Sequence, residues 1–401
     1  MAPTPVMAEP VSAAGHTTLT GITVAATARA VVLSAAAIVI GLIWDISWHR
    51  TIGRDTLFSP PHVLEYIAAI VAGVSCAWLI LQTTFDDRRE EDRASAVTFW
   101  GFRGPLGAWI TVWGTFAMLA SAPFDDWWHN AYGLDVEIIS PPHVVLLLGM
   151  LAVVLGAVTM AVAAQNREGG DKGRFTILYA FASAMLLLIL TTAAFTYTAY
   201  PNTFRGSQFY LVSAVVYVLP LVVVARSARR RWPATTAAVL YLGVSLALIW
   251  TLQAFSAVPK LAPIYREITH MVPPPFPLLL VVPALVIDLL VRREQRRGWP
   301  DWGRALVAGP LALVAFFGVN WFWGEFLLSE SARNALFAMD RWEYYTRPGP
   351  WQYQYWGMPR TPTGGFDWAS FAGPFGIACL LGTASGRIGL WLGNWLGKIT
   401  R

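Results

Sequence analysis

Long apolar runs, repeated along almost the whole chain, constrain the fold of this sequence more than any other feature. Runs of roughly 17 to 25 mostly apolar residues, each long enough to cross a bilayer as a helix, recur about ten times. Because lipid offers backbone amides no hydrogen-bond partner, a spanning segment must be a helix or part of a closed barrel. The runs lack the alternating hydrophobicity of barrel strands. The sequence therefore predicts an all-α, polytopic transmembrane helical bundle of about ten helices, built from hairpins.

The predicted spans share an apolar centre and more polar ends. They cover residues 27–45, 62–82, 105–122, 143–164, 175–196, 209–226, 235–256, 274–291, 304–323 and 370–392. Composition agrees, since 56% of the 401 residues are hydrophobic and 13% are charged, as in membrane proteins. We expect a single transmembrane helical domain over residues 27–401. Residues 1–26 are expected to form a mobile cytoplasmic tail that is not a cleaved signal sequence.

Basic residues concentrate in alternate connections between the predicted spans. The second, fourth, sixth and eighth connections carry Arg88, Arg89, Arg93, Arg103, Arg167, Lys172, Arg174, Arg226, Arg229 to Arg231, Arg292, Arg293, Arg296 and Arg297. The third connection, residues 121–142, carries none. Since basic loops stay on the cytoplasmic side, both termini are expected there, in a multi-pass protein of a bacterial inner membrane. This topology accounts for the net charge of +5, so no nucleic-acid partner is expected.

Two similar segments follow the first and third predicted spans, on the side opposite the basic connections. The first reads WDISWHRTIGRDTLFSPPH over residues 44–62, and the second reads FDDWWHNAYGLDVEIISPPH over residues 124–143. We call Asp45, His49 and His62 the first frame, and the equivalent residues Asp125, His129 and His143 the second frame. The second frame contains one additional residue, which shifts His143 relative to His129. This frame is therefore expected to be either a second metal site or a relic kept for packing. The sequence thus contains an internal repeat of an aspartate and two histidines.

The spacing within the first frame predicts a shared metal site. Residues four apart lie on one face of a helix, so Asp45 and His49 are expected to point the same way. The two prolines before His62 favour a helix start, which places this histidine in the first turn of the returning helix. One carboxylate and two imidazoles with open positions suit copper, non-haem iron or zinc. The ligand set does not choose among these metals.

Several other polar residues are candidates for roles at the frames. Asp126 competes with Asp125 as a ligand of the second frame, since the two are adjacent in the sequence. The residues expected to orient ligands or approach a site are Arg54, Asp55, Glu65 and Asp135. The candidates for additional ligands are Glu267, His270 and Asn202. The alternative for His270 is an interfacial residue, and the alternative for Asn202 is hydrogen bonding within the bundle.

Two further segments bear on the outer side of the bundle. Residues 324–370 are rich in Trp and Tyr, which favours an interfacial cap at headgroup level. A lid over a site and a docking face for another subunit are the alternatives. The sequence Pro274-Pro275-Phe276 is expected to open the eighth span as Pro141-Pro142-His143 opens the fourth. This would make a third, weaker copy of the hairpin.

The first frame resembles the C subunit of copper membrane monooxygenases, the particulate methane and ammonia monooxygenase family. The family pattern is an Asp, three residues, a His, twelve residues and a second His, and Asp45, His49 and His62 fill it. The surrounding family positions are matched by Arg54-Asp55-Thr56, Phe58, Pro60 and Glu65-Tyr66. The similarity covers one hairpin. In the second frame Leu134 and Val136 stand in place of the Arg and the Thr.

The resemblance implies a copper ion bound by Asp45, His49 and His62 at the periplasmic edge of the bilayer. It implies an enzyme that inserts one oxygen atom from dioxygen into a C–H or N–H bond of a small apolar substrate, such as a short alkane or ammonia. Other monooxygenase subunits or a homo-oligomer would be its partners. The alternative function is a non-catalytic membrane protein for metal binding, storage or transport. A transporter is expected to carry ionisable groups along a path through the midplane, whereas here they gather at one rim.

Overall fold

The computed structural model describes residues 23–53, 56–133, 140–169, 173–260, 263–296 and 298–400. Helices dominate this part of the chain. They are α1 (Val24–Thr51), α2 (Pro60–Phe85), α3 (Glu90–Ala94), α4 (Leu106–Tyr132), α5 (Pro141–Glu168), α6 (Arg174–Ala193), α7 (Phe195–Thr198), α8 (Ser207–Val216), α9 (Val218–Ser227), α10 (Pro233–Leu252), α11 (Val281–Arg296), α12 (Asp301–Leu328) and α13 (Trp368–Leu396). Two short strands, β1 (Val97–Phe99) and β2 (Phe102–Gly104), pair antiparallel before α4.

Within the described residues, nine helical segments are long and apolar enough to cross a membrane. They are α1, α2, α4, α5, α6, the α8–α9 pair, α10, α12 and α13. Their lengths of 20 to 29 residues correspond to at least about 30 Å of helix, the thickness of a bilayer core. The protein is therefore an all-α, polytopic helical bundle, as the sequence predicts.

The first helix begins earlier than predicted. Val24 to Ala26, which the sequence assigns to the tail, belong to α1. The side chain of Thr23 accepts a hydrogen bond of 3.1 Å from the Ala26 amide and caps the helix, because the first amides of a helix have no partner within it. The rest of the predicted mobile tail, residues 1–22, lies outside the described residues.

The eighth predicted span is shorter than expected. Its apolar helical part covers only Leu278–Val291, and the preceding residues 273–277 are not helical. Consecutive prolines remove backbone donors, and each holds the residue before it in an extended conformation. The prediction that Pro274-Pro275-Phe276 opens a helix is therefore wrong. In contrast, Pro60-Pro61 and Pro141-Pro142 occupy the first turns of α2 and α5, where their missing amides cost nothing.

The backbone just before this proline segment is held by α1. Ser47 donates to the carbonyl oxygen of Val272 at 2.7 Å, and Thr51 accepts from the Val272 amide at 2.8 Å. Both hydroxyls are fully buried. Non-helical backbone near membrane depth is stable only where the protein itself satisfies its polar groups. α1 thus holds the extended segment with one face and carries the first frame on another.

Glycines bring the backbones of α4 and α5 into close contact. A Cβ on Gly114 would lie 2.8 Å from the carbonyl oxygen of Gly149, and a Cβ on Gly149 would lie 2.8 Å from that of Gly114. Two turns away, a Cβ on Gly107 would lie 2.8 Å from the carbonyl oxygen of Gly156. Small residues permit such close approach between transmembrane helices. The hairpin that carries the second frame is therefore tightly packed along its length.

A proline divides the sixth span into α8 and α9. Pro220 has no amide to donate to the carbonyl of Val216, the last residue of α8. Tyr217, between the two helices, has a φ of −112° and a ψ of −44°, outside ideal helix geometry. Such a break is a usual cause of a kink in a membrane helix.

Both frames lie at the end of the bundle opposite the C-terminus of α13. Asn166, near the end of α5, donates to the carbonyl oxygens of Leu396 and Ile399 at 2.9 and 2.7 Å. The guanidinium of Arg29, near the start of α1, lies over the ring of Phe175 at the start of α6. Because α6 begins just after α5 ends, the start of α1 lies beside the end of α5, and the two helices run antiparallel. The end of α1 and the start of α5 therefore lie at the same end of the bundle.

The aromatic segment predicted over residues 324–370 is shorter in the structure. α12 continues to Leu328 and α13 starts at Trp368, so the connection covers residues 329–367, which we call the cap. Trp342 and Tyr344 of the cap are buried. The amide of Trp356 donates to the carbonyl oxygen of Asn202 at 2.7 Å. The cap therefore packs onto the helix ends.

Candidate metal centre

In the first frame, one carboxylate lies between two imidazoles. α1 continues through Asp45 and His49, and Oδ2 of Asp45 is 3.6 Å from Nε2 of His49. His62 is the third residue of α2, and its Nε2 is 3.4 Å from Oδ1 of Asp45. The helix positions that the sequence predicts for these three residues are therefore found in the structure.

The second frame has the same arrangement. Oδ2 of Asp125 is 3.4 Å from Nε2 of His129, and Oδ1 of Asp125 is 3.3 Å from Nε2 of His143. The centroids of the two imidazole rings are 5.4 Å apart. In both frames, each oxygen of the aspartate faces a different histidine. The sequence repeat is thus also a repeat of side-chain geometry.

Equivalent glycines end the first helix of each hairpin. Gly53 has a φ of 84° and Gly133 a φ of 103°, a region open mainly to glycine. Each stands eight positions after the aspartate of its frame, 45 to 53 and 125 to 133. The additional residue of the second frame therefore falls between Gly133 and His143. It does not move His143 away from Asp125.

When the His62 imidazole is neutral, its contact with Asp45 is not a hydrogen bond. Nδ1 of His62 lies 3.0 Å from the carbonyl oxygen of Thr56. Because this oxygen can only accept, Nδ1 carries the ring proton, and in the neutral ring Nε2 presents a lone pair to Asp45. Oδ1 of Asp45 is shielded from solvent and accepts no hydrogen bond from a described residue. A cation between the two atoms would satisfy both.

In both frames the nitrogen–oxygen distance of each histidine–aspartate pair fits two ligands of one ion, but among the described residues only the second frame brings three ligand atoms within 4.8 Å of one another. Nitrogen and oxygen atoms about 2.0–2.2 Å from one tetrahedral metal lie about 3.2–3.6 Å apart. The four nitrogen–oxygen separations are 3.3 to 3.6 Å. The side chains of the six frame residues are 15 to 30% exposed, so an ion would be partly shielded and still reachable.

The second frame is the more compact of the two. In the described part of the chain, Asp125, His129 and His143 form the one group of three ligand atoms that all lie within 4.8 Å of one another. The resemblance favours the first frame, whereas the structure gives the tighter cluster to the second. Oδ1 of Asp125, like that of Asp45, is buried and has no hydrogen-bond partner among the described residues.

Glu65 lies just inside the bundle from the first frame. It follows His62 by about one turn of α2 and is only 2% exposed. A Cβ on Gly41 would lie 2.6 Å from Cγ of Glu65, so the glycine provides the space for this side chain against α1. The equivalent position of the second hairpin is Leu146. A buried carboxyl group therefore distinguishes the first frame from the second.

The structure separates the two adjacent aspartates of the second frame. Asp125 faces both histidines, whereas Asp126 is exposed and its backbone oxygen accepts a hydrogen bond of 2.8 Å from Asn130. Asp125 is therefore the better placed ligand. Arg54, Asp55 and Asp135, which are predicted to support the ligands, lie outside the described residues.

The three additional candidates do not join a frame. Glu267 and His270 are exposed, and Nδ1 of His270 lies 2.9 Å from the hydroxyl of Thr269. Asn202 is fully buried, and its amide donates to the carbonyl oxygens of Gln352 and Gln354 at 2.7 and 2.6 Å. Asn202 thus anchors the cap, because both hydrogen bonds that its side-chain amide donates go to backbone carbonyls of the cap.

A buried ion pair next to the first frame was not predicted from the sequence. Arg50 directly follows His49 and is 7% exposed, and its Nη2 contacts Oε1 of Glu343 in the cap. The guanidinium also lies 5.8 Å from the centroid of the Tyr200 ring. Arg50 lies beyond the first predicted span, residues 27–45, so no pattern in the sequence marks this position. Its partner is almost three hundred residues away, beyond the reach of local patterns.

Comparisons with known proteins return nothing for this chain, since no protein-family model, curated protein or solved structure matches it.

Proposed function

We propose that this protein is a membrane metalloprotein that binds a copper ion at each of its two frames and oxidises a small apolar substrate with dioxygen. The observation that supports metal binding best is the repeated placement of a carboxylate between two imidazoles, at distances typical of metal ligands. Two independent hairpins would not both bring these groups together for helix packing alone, because ionisable groups at a membrane border are costly.

The histidines would hold the ion through Nε2, and the aspartate would offset its charge. The hydrogen bond from Nδ1 of His62 to Thr56 fixes this imidazole in the tautomer that leaves Nε2 open. A bound copper ion supplies the redox chemistry that dioxygen activation needs. Two imidazoles and a carboxylate also suit iron or zinc, so metal identity rests on the family resemblance of the first frame.

Glu65 is the feature that favours the first frame as the oxidising centre. A buried carboxyl one turn from His62 can hold or release a proton next to the ligands, and the second hairpin has Leu146 at this position. The second frame would then hold metal without catalysis. The partners would be small apolar substrate, dioxygen, and either further monooxygenase subunits or a second copy of the chain.

The proposed location is a bacterial inner membrane with both termini in the cytoplasm. The support is the concentration of basic residues in the connections at the end opposite the frames. In this orientation both frames face the periplasm, where substrate in the lipid would approach from the side.

Metal analysis of purified protein tests the proposal. The wild type, His49→Ala, His129→Ala and the double variant are loaded with copper, washed and analysed for copper, iron and zinc. We expect one equivalent of copper to be lost in each single variant and both to be lost in the double variant. His270→Ala is the matched control, since His270 is an exposed histidine outside both frames. Equal metal in all five proteins would disprove the proposal.

Oxygen uptake separates catalysis from the alternative of non-catalytic binding, storage or transport. Copper-loaded protein is supplied with reductant and either short alkanes or ammonia. We expect substrate-dependent uptake that His49→Ala abolishes and His129→Ala leaves largely unchanged, because Glu65 lies beside the first frame only. If the loaded protein binds copper and consumes no oxygen with any substrate, the alternative function is favoured.

A further inference from the structure

A short hairpin lies at the end of the bundle opposite the frames, in the connection between α2 and α4. It consists of β1, β2 and the two residues between them, and we call residues 97–104 the hairpin. The hydroxyl of Thr84 in α2 accepts a hydrogen bond of 2.8 Å from the Arg103 amide. A Cβ on Gly104 would lie 2.5 Å from Cγ1 of Ile80. The hairpin is therefore packed onto α2, which stabilises a pair of strands that would be marginal alone in water.

The hairpin folds back along one side of α4. Nε1 of Trp109 donates to the carbonyl oxygen of Val97 at 3.2 Å. The ring centroids of Phe99 and Trp100 lie 6.2 and 5.9 Å from that of Trp113, which is about two turns into the helix. Trp113 is 45% exposed on a helix that is apolar enough to cross a membrane, so this side of α4 faces lipid. The tip of the hairpin therefore lies beside the span and not beyond its end.

The two faces of the hairpin differ in chemistry. Phe99 pairs with Phe102, and Thr98 pairs with Arg103. Residues directly opposite share a face, and neighbours along a strand alternate between faces. One face thus carries two phenyl rings, of which that of Phe102 lies 6.0 Å from the ring of Phe85 in α2. The other face carries a hydroxyl and a guanidinium, both on exposed residues. This amphipathic arrangement suits the border of a bilayer.

Trp100 occupies a strained position at the tip of the hairpin. Its φ is 49°, and that of Gly101 is 83°; positive φ at both central residues is the pattern of a type I′ turn. Asn or Asp is the usual first residue of this turn, and a bulky side chain is strained there. The indole stacks on Phe99 with the centroids 4.8 Å apart, yet Trp100 is 79% exposed. Contacts within the chain therefore leave most of this ring uncovered.

We propose that the hairpin is seated in the headgroup layer of the bilayer, with Trp100 among the first carbons of phospholipid acyl chains and Arg103 at the lipid phosphates. Lipid would cover the indole and offset the strain of the turn. Arginine donates charge-assisted hydrogen bonds to phosphate, and its long side chain can reach the headgroups. The hairpin would thus fix the connection between α2 and α4 to the membrane. This role does not depend on the function proposed above.

Photolabelling of the wild-type chain in phospholipid nanodiscs tests the proposal. Three reagents are compared: a phospholipid with a diazirine near the start of its acyl chain, a phospholipid with a diazirine in its headgroup, and a charged, water-soluble diazirine. Trypsin releases residues 94–103 as one peptide, because Arg93 precedes it and Arg103 ends it. Fragmentation of this peptide is expected to place the acyl-chain label at Trp100, and the headgroup and soluble labels at Thr98 on the opposite face.

Spin labelling measures the same depths independently. The chain has two cysteines, and Cys76 is fully buried, so Cys379→Ala removes the partly exposed thiol. Trp100→Cys and the matched control Thr98→Cys are then labelled with a nitroxide in this background. The label at 100 is expected to collide more with dioxygen, which concentrates in lipid, and the label at 98 more with a water-soluble nickel complex. Thermal unfolding identifies a labelled chain that has not folded, and photolabelling of the wild type stands without it.

Two results would overturn the proposal. Labelling of Trp100 by the soluble reagent and not by the acyl-chain reagent would place the hairpin in water, with its aromatic face left for a protein partner. Equal labelling of Trp100 and Thr98 by the acyl-chain reagent would show that neither face of the hairpin prefers lipid. No metal takes part in either measurement, so neither result bears on the frames.

Discussion

The side chain of Glu65 fills the space beside Gly41, where its Cγ lies 2.6 Å from the position that a Cβ would take. Gly41 stands one turn of α1 before Asp45, so this contact lies directly beneath the first frame. Glycine is needed here because any side chain would meet the buried carboxyl group. The packing of α1 on α2 and the placement of the acid are therefore one structural feature.

Gly41→Ala is expected to displace Glu65 and separate α1 from α2. We expect the free energy of unfolding to fall by about 1–3 kcal/mol, the usual effect of overpacking, with weaker metal binding at the first frame and unchanged binding at the second. Denaturant unfolding and metal content measure the two effects. Gly243→Ala is the matched control, since a Cβ there meets no atom within 4 Å and alanine favours a helix. Equal behaviour of the two variants would contradict this account.

The variants Asp125→Asn and Asp126→Asn compare two adjacent aspartates, one of which faces the histidines while the other is exposed to solvent. Only Asp125 lies within 3.4 Å of both histidines of its frame, whereas Asp126 is exposed. We expect Asp125→Asn to weaken metal binding at the second frame about tenfold or more, and Asp126→Asn to change it little. Titration against a coloured chelator measures the affinities. A larger loss of affinity with Asp126→Asn would show that Asp126, and not Asp125, is the ligand.

The features that could be predicted from the sequence are those determined by neighbours along the chain. Hydropathy predicts the spans, and the four-residue spacing of Asp45 and His49 predicts a common helix face. The proline segment before α11 was misassigned because its apolar residues resemble a span, while its missing amides prevent a helix. The pairing of Arg50 with Glu343 depends on how the cap folds back, which no local pattern encodes.

The geometry of the second frame could be predicted only in part. The additional residue between Gly133 and His143 appears in the sequence as a shift that separates the ligands. In the structure the helix end at Gly133 matches that at Gly53, and His143 still lies 3.3 Å from Asp125. Which of two adjacent aspartates faces the histidines depends on the rotation of α4 against α5. That rotation is set by glycine contacts such as Gly114 with Gly149.

Gly149→Ala is expected to disturb the second frame through the helices that carry it. A Cβ at this position would lie 2.8 Å from the carbonyl oxygen of Gly114 and from the amide nitrogen of Met118. Both are backbone atoms that cannot turn aside, so α4 and α5 must separate. We expect loss of metal from the second frame, retention at the first, and a fall in the free energy of unfolding of about 1–3 kcal/mol.

Gly318→Ala serves as the control for this substitution, because a Cβ at Gly318 of α12 meets no atom within 4 Å. Metal content of Gly149→Ala is measured in the His49→Ala background, where only the second frame can bind. If Gly149→Ala retains its copper there, close contact of α4 and α5 is not what positions Asp125 and His143.

Asp288 of α11 caps the start of α10 in the interior, at the end of the bundle away from the frames. It is fully buried, and its Oδ2 accepts from both the amide and the hydroxyl of Thr235 at 2.8 Å, while Oδ1 accepts from the Ala234 amide at 3.2 Å. Asp288→Ala removes the acceptor of these three donors, of which the Ala234 amide is buried, so we expect a loss of about 2–3 kcal/mol in the free energy of unfolding. Asp288→Asn retains one oxygen acceptor and is expected to lose less stability.

Denaturant unfolding ranks the stabilities of the two Asp288 variants. Their copper content is expected to equal that of the wild type, since the frames lie at the opposite end of the bundle. Equal stability of Asp288→Ala and wild type would show that α10 does not depend on this cap, and loss of copper would show that the two ends of the bundle are coupled.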